Sequence, residues 1–528
     1  MDRLESLLAR VNDLFDRLET LQLSKATVAA GVISVLMVAY GVRVTYAWYR
    51  LSHIPGPRSA GWSKYWMISE ALKGRQPLAF KEATDEYGPL VRVGPNELIT
   101  SDPEVLRRMM GVRSPYTRSP WYSAMRLDPS RDNVLSMRDE VGHVKMRAKM
   151  SAGYSGKENL SMEGTIDTQI AKLVHLIERK YLSTADEYRP MDFAEKGQFF
   201  TLDVISDLAF GHAFGYMDRD ADEFGYIKIT KAFIPVMLLL ADVPTLAKML
   251  HSRLLRGLLP KESDKLGFGA FIGVTNRVVA ERFQPGAPQQ HDMLGSFMRH
   301  GLNREEASGE ALLQVVAGND TSATAIRMVM LYLMTNPSAY IRLQSEIDGA
   351  IELQKISSPI KNVEARELPF LQAVIKEGLR VLPPAGGAFY KTVPPEGDVI
   401  AGLFVPGGTH IGSSPLGVQH SKEIFGADVE VFRPERWLEA GEEQLRTMNN
   451  TVDLVFHSGR YQCLGKSVAL MEFNKIFVEL LRRYDFQLVH PQKPFEIFNA
   501  GIWIIENLLV RVTKREFEQH HEGIALGK

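Results

Sequence analysis

Phe456-His457-Ser458-Gly459-Arg460-Tyr461-Gln462-Cys463-Leu464-Gly465-Lys466 holds the only cysteine of the chain. Glycines stand four residues before the thiol and two after it, which lets the backbone turn tightly and approach a large planar ligand. Residues 464–483 then carry Leu464, Val468, Met471 and Ile476 or Phe477 on one side and read as a helix. Cys463 thus stands at a helix N-terminus, where backbone N–H groups and the dipole favour a thiolate. An inert buried cysteine is the other reading of the same residues. With one thiol there is no internal disulfide, no thiolate zinc cluster and no iron–sulfur cluster.

Working outward, residues 308–334 are apolar nearly all round, as a helix buried at the centre of a large domain must be. In the middle lies Ala317-Gly318-Asn319-Asp320-Thr321-Ser322, a glycine followed by four polar side chains. Either a kink is stabilised there by a threonine bonding back to a carbonyl, or the helix opens a groove where a small ligand meets proton donors. Residues 368–382 form a third helix, ended by Pro383-Pro384. Glu377 falls on its apolar stripe with Arg380 one turn on, and charges on an inward face demand pairing. Arg436, in Phe432-Arg433-Pro434-Glu435-Arg436-Trp437, is the candidate third member.

The 528-residue chain is 45% hydrophobic and 24% charged, enough for a large core and unlike a disordered sequence. Lys+Arg (62) balances Asp+Glu (63), without the basic excess of a nucleic-acid binder. Residues 1–23 space leucines and valines for an apolar helical stripe. Residues 26–42 carry no charge and span about 25 Å as helix; continuing to Tyr49 exceeds the bilayer core of about 30 Å. Arg43 can snorkel, and Tyr46, Trp48 and Tyr49 suit an aromatic belt. A signal peptide fits worse, because no small-residue cleavage site precedes Arg43. Arg43, Arg50, Arg58 and Lys64 follow the span, so the positive-inside rule places residues 1–23 in the lumen and the body in the cytosol. Pro55-Gly56-Pro57 makes a stiff turn between them. The predicted order is a lumenal segment (1–23), a transmembrane anchor (24–49), a proline hinge (50–60), a catalytic domain (61–515) and a mobile tail (516–528). The body reads as mainly α with a small β part near residues 90–100, 399–409 and 502–512. Residues 233–250 are too apolar for an exposed loop and suit either a buried helix or a bilayer contact.

Taken together, these segments resemble the cytochrome P-450 superfamily of haem-thiolate monooxygenases over roughly residues 51–512. Ala317 to Ser322 is similar to its oxygen-activation motif, Glu377, Arg380 and Arg436 to its charged triad, and Phe456, Gly459, Cys463 and Gly465 to its haem-binding loop. Tyr461 stands where the family usually has arginine, and the run around it looks like fungal microsomal members of the pisatin demethylase type. The resemblance implies the P-450 fold, haem b bound through its iron to the Cys463 thiolate, and proton relay by Asp320 and Thr321. It implies propionate partners among Arg460, His143, Arg147 and Lys391, and pocket walls at Val316, Ala317, 385–389 and 501–503. It further implies O2, a lipophilic small-molecule substrate, and electrons from NADPH through NADPH-cytochrome P-450 reductase at the endoplasmic reticulum membrane. That flavoprotein would dock where Lys145, Lys149, Arg460 and Lys466 offer positive charge. The substrate class expected by analogy is a terpenoid or polyketide of fungal secondary metabolism. Two alternatives remain, a haem-thiolate isomerase or dehydratase and a non-catalytic membrane-tethered haem-binding protein; neither needs the Asp320–Thr321 pair.

Overall fold

The helix Arg304–Thr335 is buried along nearly its whole length, as its all-round apolar sequence requires. It starts on a capping box: Asn303 takes the Glu306 N–H while the Glu306 carboxylate takes the Asn303 N–H. The computed structural model describes residues 25–515 apart from 160, 253 and 266. The expected lumenal segment 1–23 and tail 516–528 lie outside the described residues.

Around this central helix the long elements pack on different sides. Phe193–Phe210 begins on Asp192, whose carboxylate accepts the Ala194 and Glu195 N–H groups, and ends at Gly211 in the left-handed region. It lies so close that a Cβ on Gly318 would sit 2.9 Å from the Ile205 side chain. The glycine of the polar cluster therefore serves helix–helix approach, and the helix continues through it without a break. Pro369–Val381 and Lys466–Leu481 pack elsewhere on the central helix. Tyr226–Asp242, with Pro235 inside it, buries Ile234 and Leu238 while Val236 stays exposed. The sequence left 233–250 open between burial and exposure, and the helix does both on opposite faces.

Strands form in the three regions that alternating residues suggested, and others at 117–118, 182–183, 191–192, 391–392, 484–488 and 496–499 were not foreseen. Leu90–Arg92 pairs antiparallel with Glu97–Thr100, and His410–Ser413 runs parallel beside the latter. Lys391–Thr392 and Thr117–Arg118 complete that five-stranded sheet. Leu509–Lys514 pairs with Tyr484–Leu488, Leu182–Ser183 and Met191–Asp192 in a second sheet. Two hairpins, Asp398–Ile400 with Leu403–Val405 and Glu496–Asn499 with Trp503–Glu506, stand apart. Residues 165–181 are not one regular helix: Met162–Leu176 passes into a wider turn over Ile177–Tyr181.

The helix Lys25–Arg50 presents Val35, Leu36, Val38 and Tyr40 outward. Its C-terminal carbonyls have no helical partners, and Arg92 supplies them. The guanidinium donates to Ala47 O (2.9 Å) and Trp48 O (3.1 Å) and to carbonyls of Gly61 and Pro95. Arg50 reaches Gly407 O at 2.8 Å, and Trp48 stacks on Trp62 with centroids 5.1 Å apart. Gly56 is required in the hinge, since a Cβ there would lie 2.2 Å from Arg92 O.

Candidate active site

Between the central helix and the cysteine loop lies a cavity of about 330 Å³. Leu127, Ile205, Leu238, Val316 and Ile502 give it apolar walls. Ala317 and Thr321 are among the few solvent-accessible residues of a helix otherwise buried, because one turn separates them on the face toward the cavity. The Thr321 hydroxyl donates to Ala317 O at 2.8 Å, the back-bond the sequence suggested. Opposite it stands Cys463, whose N–H donates to Phe456 O at 2.7 Å. Protein encloses the thiol, yet its sulfur is accessible from the cavity. Burial pushes the thiol above its ordinary range; N–H groups of Gly465 and Lys466 and the Arg147 charge pull the other way and do not win. The helix N-terminus alone thus does not make this sulfur a thiolate.

The loop before the thiol is held by two backbone constraints. Gly459 has φ +57°, and a Cβ on it would sit 2.2 Å from Met110 O. His457 also has positive φ (56°), a conformation costing a non-glycine residue about 1–3 kcal/mol. Its ring meets Phe389, another positive-φ residue, edge-on at 4.6 Å. Burial, then the charges of Lys391 and Arg118, hold His457 neutral, pushed down to about 3. Beside Gly465 a Cβ would touch only the Cys463 sulfur at 3.8 Å, so that side of the loop is open.

At one end of the cavity the side chains are cationic. Arg118, which sequence reasoning missed, lines it with His143 and Arg147. In the sheet Arg118 stands directly across from Lys391, an opposition of like charges that destabilises a strand pair unless something shares them. The Lys391 ammonium sits 3.4 Å from the Tyr461 ring centroid and donates to the Tyr122 hydroxyl at 2.9 Å. It lines a small side pocket that shares Tyr461 with the cavity. Burial and then Arg118 push Lys391 well below the usual lysine range. Burial and the same neighbours push His143 down to about 2, so its Nε2 accepts from Arg118 Nη2 at 2.9 Å. Among the described residues its Nδ1 has no partner, nor has Arg118 Nε. Glu140 is the nearby carboxylate, taking the Tyr461 hydroxyl at 2.6 Å. Such an excess of buried donors over acceptors fits an anionic ligand. The accessible thiol, the apolar slot and this cationic end together suit a haem with its propionates.

Other expected residues lie elsewhere. Arg460 lines neither pocket: its guanidinium is bonded to the carbonyls of Ser114 and Tyr116. Asp320 points away from Thr321, accepting from Gln198 Nε2 at 2.6 Å and from the Tyr226 hydroxyl at 3.2 Å. It opens on a separate cavity of about 250 Å³ that Lys231, Arg327 and Glu506 also line. Burial, only partly offset by Arg327, raises its carboxyl to about 6. Trp503 faces that second cavity, its indole N–H donating to Pro383 O, whereas Gly501 and Ile502 reach the first. On the cysteine side Lys149 is paired with Glu306 at 2.8 Å and Lys466 with Asp453 at 2.9 Å, while Lys145, another of the four expected docking cations, is exposed.

Behind the cavity Glu377 is fully buried and accepts from five donors: Arg380 Nε (2.9 Å) and Nη2 (2.8 Å), Arg436 Nε (3.0 Å), the Arg433 N–H and the Trp437 indole. Trp437 and the Arg433 backbone were not foreseen. Arg380 and Arg436 also hold the carbonyls of Val429 and Asp428, so the cluster ties Pro369–Val381 to the loop ahead of the cysteine segment.

Comparison with known proteins agrees with this geometry. The cytochrome P450 family model matches residues 55–511. A cytochrome P450 monooxygenase ABA1 from Pyricularia oryzae is 42% identical over 495 residues, covering 92% of this chain and 97% of that protein. A cytochrome P450 monooxygenase aba1 from Botryotinia fuckeliana is 41% identical over 470 residues, 88% of this chain and 92% of the relative. Another, abl1 from Leptosphaeria maculans, is 37% identical, with 87% and 83% covered. With the enclosed thiol, the apolar slot and the cationic end already in place, this chain belongs to the cytochrome P450 family and is a haem-thiolate monooxygenase.

Proposed function

We propose that this enzyme inserts one oxygen atom of O2 into a lipophilic small molecule of fungal secondary metabolism, a terpenoid or polyketide, while anchored by residues 24–49 to the endoplasmic reticulum. The apolar cavity between Thr321 and Cys463 carries the reading. Bound haem supplies dioxygen activation; Cys463 is its thiolate ligand, and Phe456, Gly459 and Gly465 shape the loop around it. Arg118, His143, Arg147 and Lys391 take the propionates. Thr321 holds a proton at its Oγ beside the substrate, and Asp320 exchanges protons with the second cavity behind it. Ile205, Leu238 and Ile502 offer no charge to the substrate, which favours an apolar one. Residues 50–60 form the hinge, and residues 61–515 the catalytic body, facing the cytosol and drawing electrons from NADPH through a flavoprotein reductase. The outward apolar side chains of Lys25–Arg50 and the exposed Val236 and Met249 support contact with lipid. The fungal cytochrome P450 monooxygenases it resembles support the monooxygenase reading.

The test is the carbon-monoxide difference spectrum of the reduced full-length protein: a strongly red-shifted Soret band is expected, and an unshifted band refutes the reading. Arg118→Leu should keep that band but lose haem to an acceptor protein roughly ten- to a hundredfold faster, about 1.5–3 kcal/mol for one charge-assisted bond. Thr321→Ala should bind haem normally yet divert most reducing equivalents to hydrogen peroxide, measured as peroxide released per NADPH. Tightly coupled turnover in that variant would remove Thr321 from the proton path.

A further inference from the structure

Tyr461 borders both the main cavity and the small side pocket. Where the resemblance implies an arginine, this chain has a buried ring, and three cations gather round it. The Lys391 Nζ lies 3.4 Å from the ring centroid, the Arg118 guanidinium carbon 5.0 Å and that of Arg460 5.4 Å. The Tyr461 hydroxyl donates to Glu140 Oε1 at 2.6 Å, and the same oxygen accepts the Arg118 backbone N–H at 3.0 Å. One side chain therefore touches the strand Thr117–Arg118, the strand Lys391–Thr392 and the first turn of the helix Glu140–Tyr154, which carries His143 and Arg147.

We infer that Tyr461 binds no propionate itself and is instead a positioning residue for the cationic end: its ring face holds the Lys391 ammonium beside Arg118, so that both cations meet the cofactor's carboxylates. It deepens the monooxygenase reading, on which it rests. The ring acts through Lys391, and it does so as a neutral side chain, adding no further positive charge to a place already crowded with them.

The physical case is one of charge sharing. Lys391 and Arg118 are direct partners across two short strands, a pairing that like charges resist. Arg118 has other supports, the carbonyls of Val134 at 2.7 Å and Met137 at 2.6 Å and the His143 ring nitrogen. Lys391 has fewer. Among the described residues its ammonium has the Tyr122 hydroxyl as its one hydrogen-bond acceptor and no carboxylate at ion-pair distance. Burial, then Arg118 and Arg460, work against that ammonium, and Glu140 works for it from beyond the ring. What remains is the aromatic face. Two tyrosine rings adjoin the lysine, Tyr461 at 3.4 Å and Tyr122 at 4.6 Å, and a desolvated cation gains most from the nearer one.

Fluorination of the ring tests this, because each fluorine drains the negative face while leaving the shape nearly unchanged. The haem-loaded full-length protein is prepared as Tyr461→Phe, Tyr461→4-fluorophenylalanine, Tyr461→3,4-difluorophenylalanine and Tyr461→3,4,5-trifluorophenylalanine, and the rate of haem transfer to apomyoglobin is measured. Tyr461→Phe should stay within about twofold of wild type, and loss should quicken with every fluorine, to roughly tenfold at three. In a Lys391→Met background the same series should be flat, since the cation on which the ring acts is gone. A rate indifferent to fluorination, or a series equally steep without Lys391, overturns the inference. So does Tyr461→Phe losing haem as fast as the trifluoro variant, which would make the hydroxyl bond to Glu140 the working contact. If the trifluoro variant takes up no haem, the lower members carry the test, and their rates must still rise in order. If Lys391→Met takes up none, Lys391→Gln supplies the background. A wild type lacking the thiolate carbon-monoxide band would instead refute the monooxygenase reading itself.

Discussion

Cys463→Ser yields a protein whose reduced carbon-monoxide spectrum has lost the red-shifted Soret band and whose turnover is below detection. Serine is nearly isosteric, and the surroundings of the thiol do not need sulfur for the fold. The backbone bond from Cys463 N–H to Phe456 O is independent of the side chain. The variant should therefore fold, retain helix content by circular dichroism, and lose the chemistry. Burial holds the free thiol above its ordinary range, so in the proposed ligation the energy that makes it a thiolate would come from the metal. A hydroxyl, with its far higher pKa, gains too little from the same partner. Because enzymatic rate enhancements start near ~10⁶-fold, residual activity would be invisible. A surviving thiolate spectrum would mean that Cys463 is not the ligand.

The second large effect concerns stability. Glu377→Ala leaves Arg380 and Arg436 buried, 0% and 3% exposed, without their carboxylate. Breaking a buried ion pair from one side costs about 3–5 kcal/mol, because the remaining charge stays uncompensated in a dry environment. Two guanidiniums are stranded here, and the Trp437 indole and Arg433 N–H lose their acceptor too. Against a total stability of about 5–15 kcal/mol, the expected result is little soluble protein and no haem uptake. Glu377→Gln should fare little better, since an amide accepts but carries no countercharge. Wild-type thermal unfolding in either variant would show that the cluster is not what locks the cysteine segment in place.

Which parts of the site were legible follows from how each is built. Cys463 with its two glycines, and Glu377 with Arg380, are read along one stretch of chain at fixed spacing, so the pattern carries the geometry. Arg118 was invisible because its place comes from pairing across the sheet: a two-residue strand sets it opposite Lys391, 273 residues away. Arg460, adjacent to Tyr461, was drawn away by carbonyls of Ser114 and Tyr116, which no local pattern announces. The turning of Asp320 away from Thr321 was recoverable in principle, since neighbours on a helix point about 100° apart. Adjacency in a motif is not adjacency on a face. His457 gave only a weak signal: histidine enters positive φ more readily than most residues, but nothing in the stretch marks this one. The helical body was clear because the central helix is apolar all round, whereas only three β regions were read, since strands of two residues such as Thr117–Arg118 and Leu182–Ser183 are too short to show alternation.

The Arg92 guanidinium, bonded to the last carbonyls of Lys25–Arg50 and to the turn beyond it, has a mechanical consequence. A flexible leash lets its load tumble freely, whereas a welded joint transmits torque. With helix and body turning as one piece, bilayer thickness would steer the body in the proposed anchored form: a thinner membrane would tilt the rod, and the rod would roll the enzyme. In the proposed anchored form, Arg92 would thereby make lipid composition a control on how the catalytic body is oriented at the bilayer.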